Sequence, residues 1–162
     1  MSEWLTDAEQ VAWRAYVTGS SVVGRLLDRA LKAHGLSPED YGILAMLSEA
    51  PDRQLRLGEL ASQLRLPKPF LTYRFQRLEQ SGLVERRQCP TDARSAFCVL
   101  TDAGVDMVTL VAPEHVASVR RALFDHLTPT QIGQLGRIMA AIIDGIDSGE
   151  NECESDCETG AP

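Results

Sequence analysis

The segment spanning residues 67–82 presents two faces of different chemistry. Leu71, Phe75 and Leu78 recur at helical spacing, which predicts an amphipathic helix with one buried stripe. The opposite face carries hydrogen-bonding side chains and one proline but no acid: Pro69, Thr72, Tyr73, Gln76 and Arg77. Such side chains suit base edges, thymine methyl groups and phosphates in a DNA major groove. The pattern therefore predicts a nucleic-acid contact, with an ordinary solvated face as the alternative.

A shorter apolar repeat precedes this helix. Leucine and alanine at i, i+3, i+4 and i+7 predict a first helix over residues 57–64. Pro67 and Pro69 are tolerated only in the first turn of a helix, so they mark the start of the second one, and Gly82 suits its end. Two short helices joined by a tight turn are typical of a helix-turn-helix unit.

A charged hairpin is predicted directly after the second helix. Residues 83–87 and 96–100 have strand composition, and turn residues including Pro-Thr-Asp lie between them within 89–93. Residues 54–56 are expected to add a third short strand beside this hairpin. The whole region is thus predicted to be a winged helix, that is, a helix-turn-helix followed by a β-wing.

Three arginines are expected to lie on this hairpin: Arg86, Arg87 and Arg94. Arginine on an exposed ribbon can enter a narrow minor groove or grip a phosphate. Asp92 lies two residues before Arg94 and could orient its guanidinium group. The alternative is a solubilising hairpin without a partner, which does not account for arginines clustered beside the polar helix face.

The net charge of −7 does not oppose DNA binding, because the charge is unevenly distributed. Residues 53–94 hold nine Lys or Arg and four Asp or Glu, a local net charge of +5, whereas residues 148–162 carry −5. Exposed charges more than about 10 Å apart are largely screened at 0.1 M salt, so the local patch decides phosphate binding.

Several short motifs occur in a fixed order across this region. They are Glu59-Leu60-Ala61, Leu71-Thr72, Arg77-Leu78-Glu79, Gly82-Leu83-Val84-Glu85-Arg86, Asp92-Ala93-Arg94 and Leu100-Thr101-Asp102-Ala103-Gly104. In order and spacing they resemble the MarR family of transcription regulators, and the likeness extends from about Trp4 to Ile146. The resemblance implies a homodimeric winged-helix regulator, usually a repressor, that releases DNA on binding a small, often phenolic, ligand or on oxidation.

The second helix departs from the family pattern in several places. Small Ser-like residues are common where Pro67, Pro69 and Phe70 stand, and Arg is common where Tyr73 stands. Arg74 occupies a position that is usually apolar, and we expect it to reach a phosphate. The resemblance therefore does not supply an operator sequence. The predicted DNA contacts are Lys68, Pro69, Thr72, Tyr73, Arg74, Gln76, Arg77, Arg86, Arg87 and Arg94.

Long helices are predicted on both sides of the winged helix, giving a mainly α fold with a small β-wing (α+β). Thr6 with Glu9, and Thr128 with Gln131, are capping boxes that open the first and last helices. Their long apolar stripes predict pairing of two copies on a palindromic operator. The expected divisions are dimerisation helices at 1–37 and 102–147, a DNA-binding lobe at 38–101 and an acidic disordered tail at 148–162, with helix ends near Ala33, His126 and Asp147.

The resemblance places an effector site between the dimer helices and the DNA-binding lobe. An aromatic acid would need an apolar slot and a cation, which aromatic residues of the first helix and Arg14 could supply. The candidates are Trp13, Arg14, Tyr16, Val17, His34 and Tyr41. The alternative is that the aromatic residues belong to the core and that Arg14 lies on the surface.

Cys89 and Cys98 flank the predicted wing turn. Arginines nearby could lower the pKa of Cys89, which makes the two cysteines candidates for a thiol-redox-responsive regulator. The hydroperoxide sensors of the family use a cysteine on the first helix, and this chain has none there. Cys153 and Cys157 lie in the acidic tail with a spacing that favours free thiols over a metal knuckle.

An enzymatic function is not expected. The sequence lacks a Gly-rich phosphate loop, a nucleophile elbow and an HExxH motif. No metal or cofactor site is predicted, and the sequence indicates a cytoplasmic protein without a membrane span. The expected partners are double-stranded DNA, a second copy and a small aromatic ligand. A winged helix used as a protein-docking module without DNA binding is the remaining alternative.

Overall fold

The computed structural model describes residues 4–89 and 92–158, with side chains described outside 89–95 and 149–158. The predicted winged-helix fold, mostly helical with a small sheet, is confirmed. The elements are α1 Asp7–Lys32, α2 Pro38–Glu49, β1 Gln54–Arg56, α3 Leu57–Leu64, α4 Lys68–Gln80, β2 Val84–Cys89, β3 Asp92–Leu100, α5 Asp102–Ala122 and α6 Pro129–Glu158.

Capping boxes open the helices where the sequence predicts them. The Glu9 backbone N–H donates to Thr6 Oγ1 at 3.3 Å, and the Glu9 carboxylate accepts from the Thr6 backbone N–H at 2.7 Å. Ser37 and Asp40 make the same reciprocal pair at the start of α2, both at 3.1 Å. These bonds satisfy N–H groups that the first turn of a helix leaves without partners.

The three strands form one antiparallel sheet in the order β1-β3-β2. Leu55 lies opposite Cys98, and Arg86 lies opposite the same residue on the other side of β3. An irregularity in the register between Gln88 and Cys89 lies near the end of the hairpin. The wing and its third strand are thus confirmed, with β2 and β3 both extending further toward the turn than predicted.

Most of the hydrophobic core lies in the winged-helix lobe, defined here as α2 through β3, and Leu31 of α1 and Val111 of α5 join it. The α4 stripe is buried as predicted, with Leu71 and Phe75 fully inaccessible and Leu78 4% exposed. Apolar side chains from the neighbouring elements complete this core: Ile43, Leu44, Leu47, Leu60, Leu83, Val84, Cys98 and Leu100. A buried stripe on one side of α4 leaves the polar side free for other contacts.

The start of α5 is fastened to the turn between α4 and β2. Thr101 Oγ1 donates to the Gly82 carbonyl at 2.7 Å and accepts from the Gly104 backbone N–H at 3.1 Å. The Thr101 backbone N–H also donates to the Leu83 carbonyl at 3.2 Å. A Cβ atom on Gly104 would collide with that carbonyl and with Leu100, so only glycine fits at position 104.

Helix α1 packs against α5 but buries little of its own apolar surface. Leu31 is 1% exposed, whereas Val11 is 70% and Leu26 is 50% exposed. The boundary between two compact units falls between Ala122 and Leu123. Within the second unit, α6 likewise leaves isoleucines exposed: Ile132, Ile138, Ile142, Ile143 and Ile146.

Two predicted helix ends are wrong. The helix expected to reach His126 ends at Ala122, because Leu123 leaves the helical region at φ −133° and a short 3₁₀ turn follows at Phe124–His126. The last helix continues past Asp147 through Glu158, so the expected disordered tail differs from the structure over residues 148–158.

Candidate nucleic-acid interface

The side of α4 opposite the core carries the predicted polar face. Lys68, Pro69, Gln76 and Arg77 are exposed, and Tyr73 is 58% exposed. Thr72 is only half-buried, and its hydroxyl donates to the Lys68 carbonyl at 2.9 Å. A hydroxyl engaged by its own helix still presents its methyl group and a free lone pair.

The N-terminal end of α4 is suited to an anion. Pro67 occupies the N-cap position, Pro69 lies within the first turn, and that turn contains no acidic residue. Because proline has no N–H, the first turn offers an anion the backbone N–H groups of Lys68 and Phe70, together with the helix dipole and the Lys68 side chain, and no carboxylate in that turn opposes them. Arg65 at φ 51° ends α3 in the left-handed region, which makes the tight turn that sets the α4 direction.

Arg74 does not lie on the polar face, so its prediction as a phosphate contact is wrong for this chain. Its side chain is 18% exposed, and it pairs with Glu39 at 3.5 Å and with Asp40 at 3.6 Å. The reason is tertiary, since α2 packs against this flank of α4 and brings two acids to it. Glu39 and Asp40 were not predicted as partners, because acids in the first turn of a helix are already explained by the helix dipole.

The two described arginines of the wing are both exposed. The Arg86 guanidinium carbon lies 5.6 Å from the centre of the Phe75 ring, and its backbone N–H donates to Glu79 Oε1 at 3.1 Å. Arg87 pairs with Glu85, with Nε donating to Oε1 at 2.6 Å. Arg86 thus holds the wing against α4, while Arg87 extends from the hairpin. The side chains of Asp92 and Arg94 lie outside the described residues.

A third arginine beside the hairpin was not predicted. The Arg56 guanidinium carbon lies 5.8 Å from the centre of the Phe97 ring, which belongs to the neighbouring strand β3. Arg56 is exposed at the end of β1. The Arg56 backbone N–H donates to the Glu59 carboxylate, which marks the start of α3. This local bond does not predict the contact of the Arg56 side chain with Phe97.

The six predicted effector residues do not form one site within a single chain. Trp13 and Tyr16 stack with ring centres 5.9 Å apart, and Trp13 and Arg14 line a shallow cavity of about 340 Å³. His34 instead lines a separate cavity of about 180 Å³. Val17 and the C-terminal end of α1 at Lys32 lie about 22 Å apart, because a helix rises about 1.5 Å per residue.

His34 and Tyr41 have other partners in the structure. His34 Nε2 lies 2.8 Å from Glu114 Oε2, which joins the end of α1 to α5. The Tyr41 ring lies 4.4 Å from the His115 ring, and burial lowers the pKa of His115. Burial raises the pKa of Tyr41, with Glu49 adding to the effect. These pairs link α1, α2 and α5, and sequence analysis did not predict them.

Cys98 is unsuited to redox sensing. Its side chain is fully buried, and burial raises the pKa of its thiol to about 12 despite the opposing charge of Arg86. A thiol with so high a pKa reacts slowly, because the thiolate is the nucleophile. Cys89 lies three strand positions from the residue opposite Cys98, about 10 Å along the hairpin, which is too far for a disulfide. The side chains of Cys89, Cys153 and Cys157 lie outside the described residues.

Over the described residues, no cluster of three or more His, Cys, Asp or Glu side chains could hold a metal ion. Within the same ranges, none of the helices combines the length and apolar character needed to cross a membrane.

Comparison with known proteins identifies the relatives of this fold. Residues 34–95 match the model of the MarR family. The uncharacterized HTH-type transcriptional regulator YkoM of Bacillus subtilis is 30% identical over 123 residues, which cover 76% of this chain and 78% of YkoM.

Two solved structures from Streptomyces coelicolor are similar over nearly the whole chain. The MarR family transcriptional regulator AbsC superposes with a TM-score of 0.87 at 36% identity, covering 91% of this chain and 99% of AbsC. The regulator Sco3205, solved in complex with DNA, superposes with a TM-score of 0.85 at 41% identity. The match covers 89% of this chain and 91% of Sco3205. With the winged-helix fold and the exposed polar face of α4, these relationships show that the chain belongs to the MarR family of transcription regulators and is not an enzyme.

Proposed function

We propose that the chain acts as a homodimeric repressor that binds a palindromic operator. In this proposal α4 enters the major groove and the β2–β3 hairpin lies along the adjacent minor groove. The observation that carries the proposal is the exposed face of α4, which presents Tyr73 and Gln76 and has Glu79, engaged by the Arg86 backbone N–H, as the one acid of the helix. The DNA complex of Sco3205 supports this choice of partner.

The electrostatics of the region agree with this assignment. Lys68 and Arg77 flank the exposed face, Arg87 extends the positive charge onto the wing, and no acid lies in the first turn of α4. Phosphate contacts of this kind supply affinity and register, while Tyr73, Gln76 and the methyl group of Thr72 supply contacts to base edges. Arg94 would add to the wing contact.

Exposed apolar residues on α1 support a homodimer. Val11, Val22 and Leu26 lie on the stripe predicted from the sequence, and all three are more than 40% exposed in a single chain. A second copy would remove this surface from water, and a two-fold axis would place two copies of α4 about 34 Å apart, one turn of DNA.

We further propose that a small aromatic ligand releases the DNA. The stacked rings of Trp13 and Tyr16 and the neighbouring Arg14 provide an apolar surface next to a cation. A partner subunit would have to complete this site, because Trp13, Tyr16 and Arg14 are exposed in a single chain. The burial of Cys98 argues against release by oxidation at that residue.

Gel-shift titration with DNA flanking the coding sequence tests the proposal. We expect a specific complex that weakens linearly in log salt and dissociates on addition of an aromatic acid. Gln76→Ala should weaken the complex about tenfold, whereas the matched control Gln134→Ala, an exposed glutamine of α6, should not. Absence of any specific complex would favour the protein-docking alternative.

A further inference from the structure

Arg74 faces the interior of the lobe rather than DNA. Its Nη2 lies 3.5 Å from Glu39 Oε2, and its Nη1 lies 3.6 Å from Asp40 Oδ2. The guanidinium carbon lies 5.1 Å from the centre of the Phe70 ring, which covers it from the same helix. These neighbours hold the side chain against α2 and away from the outward face that carries Tyr73.

The Asp40 carboxylate is held in place by its own helix, independently of Arg74. Its side chain is 6% exposed, and its Oδ2 accepts the Ser37 backbone N–H at 3.1 Å in the α2 capping box. Asp40 Oδ1 and Arg74 Nε are both buried and have no hydrogen-bond partner among the described residues. A buried carboxylate is costly without a counter-ion, so the guanidinium of Arg74 compensates a charge that α2 cannot move.

Two other kinds of contact hold α4 in place. Leu71, Phe75 and Leu78 bury its inner side, and the Glu79 carboxylate near its C-terminal end accepts the Arg86 backbone N–H at 3.1 Å. Within the described residues, the pairs of Arg74 with Glu39 and Asp40 are the charged contacts that tie the middle of α4 to α2, and Asp40 is itself held by the α2 capping box. Tyr73 and Gln76 lie on the same helix, so any rotation of α4 moves them relative to DNA.

We propose that Arg74 is a positioning residue that sets the rotation of α4 through Asp40 and Glu39, and thereby determines the sequence specificity of Tyr73 and Gln76. This inference rests on the proposed function. The effects of a positioning residue on DNA binding can be distinguished from those of a phosphate contact. A positioning residue affects binding to the preferred sequence and leaves the salt dependence intact, whereas a phosphate contact affects all sequences and reduces the salt slope.

The experiment begins with duplexes that the wild-type chain selects from a random-sequence pool, and with a scrambled duplex of equal length. Dissociation constants are measured at several salt concentrations for Arg74→Met, Asp40→Asn and the control Arg77→Met. The Asn side chain can still accept the Ser37 N–H, so Asp40→Asn preserves the cap. Arg77 is the matched control because it is an exposed arginine on the same helix.

We expect Arg74→Met and Asp40→Asn each to weaken binding to the selected duplex about tenfold, the effect of losing one charged pair. Binding to the scrambled duplex should stay within about twofold, with an unchanged slope of log affinity against log salt. Arg77→Met should instead reduce the slope by about 0.9 per subunit. The double variant should lose no more than Arg74→Met alone, because Arg74→Met already removes the pair that Asp40→Asn breaks.

A reduced salt slope for Arg74→Met, or unchanged specific affinity for Asp40→Asn, would overturn the inference. Arg74→Lys keeps the charge but lacks the planar fork, so it should recover part of the affinity, which a defect in folding would not explain. A wild-type chain that selects no sequence contradicts the proposed function itself, and the inference then falls with it.

Discussion

The winged-helix lobe and helix α1 bury their apolar side chains to very different extents. Within the lobe, Leu44, Leu60 and Phe75 are completely inaccessible, whereas Val11 and Trp13 of α1 are 70% and 57% exposed. Both regions have apolar residues at regular helical spacing, so the sequence pattern alone does not distinguish them. The difference shows that the apolar side chains of the lobe are covered within one chain, whereas much of the apolar surface of α1 is not.

The largest expected effect tests the completeness of the lobe. Phe75→Ala removes a fully buried ring that also supports Arg86, and we expect a loss of about 3–5 kcal/mol in the free energy of unfolding. Urea denaturation followed by circular dichroism measures it. Trp13→Ala on α1 is the control. If it lowered the free energy of unfolding of the monomeric chain by a comparable amount, the contrast between the two regions would be wrong.

A charge introduced on α1 tests whether its exposed apolar surface forms the dimer interface. Leu26→Glu should raise the dimer dissociation constant about 100-fold, because the interface would have to desolvate a carboxylate. Sedimentation velocity over a range of concentrations measures the shift. Ser48→Glu, an exposed position on α2, should leave the dimer unchanged. A wild-type chain that is monomeric at micromolar concentration would refute the dimer.

Two helical glycines should respond with opposite signs. A Cβ on Gly24 of α1 has no neighbour within 4 Å, so Gly24→Ala should stabilise the chain by about 0.5–1 kcal/mol through helix propensity. Gly104→Ala should instead destabilise it, because the added Cβ meets a backbone carbonyl. Thermal unfolding compares the two variants. A loss of dimer affinity in Gly24→Ala would show that the partner subunit approaches α1 closely at this point.

The smallest expected effect concerns pH. Burial lowers the pKa of His115 in the folded chain, so the unfolded chain takes up its proton first as the pH falls. Stability should therefore be present above the unfolded value near pH 6.5 and should decline below it. We expect His115→Gln to reduce the difference in melting temperature between pH 7.5 and pH 5.5. An unchanged difference would show that Tyr41 and its surroundings leave this histidine accessible to water.

Features that depend on neighbouring residues were predictable from the sequence. The capping boxes of Thr6 and Thr128 and the buried stripe of α4 were of this kind, since a helix start and a helix face are fixed within a few residues. The wing followed from turn residues between two strand-like runs. The family resemblance added the order of these elements.

Features that depend on tertiary packing were not predictable in the same way. Arg74 lies 34 residues from Asp40 in the sequence, so the pair exists only after α2 and α4 have packed. The burial of Cys98 likewise requires β1 and β2 on both sides of β3. The effector residues were grouped by resemblance, whereas the length of α1 separates Trp13 from His34 in a single chain.

The hydrogen bonds of Thr101 limit how the neighbouring elements can move. Because Thr101 bonds to Gly82, Leu83 and Gly104 at once, the end of α4, the start of β2 and the start of α5 must move as one rigid piece. Pro113 lies inside α5 and cannot donate a backbone hydrogen bond, so α5 bends more easily at this residue than elsewhere. In the proposed dimer, a change in the distance between the two wings would require α5 to move as a whole or to bend at that proline.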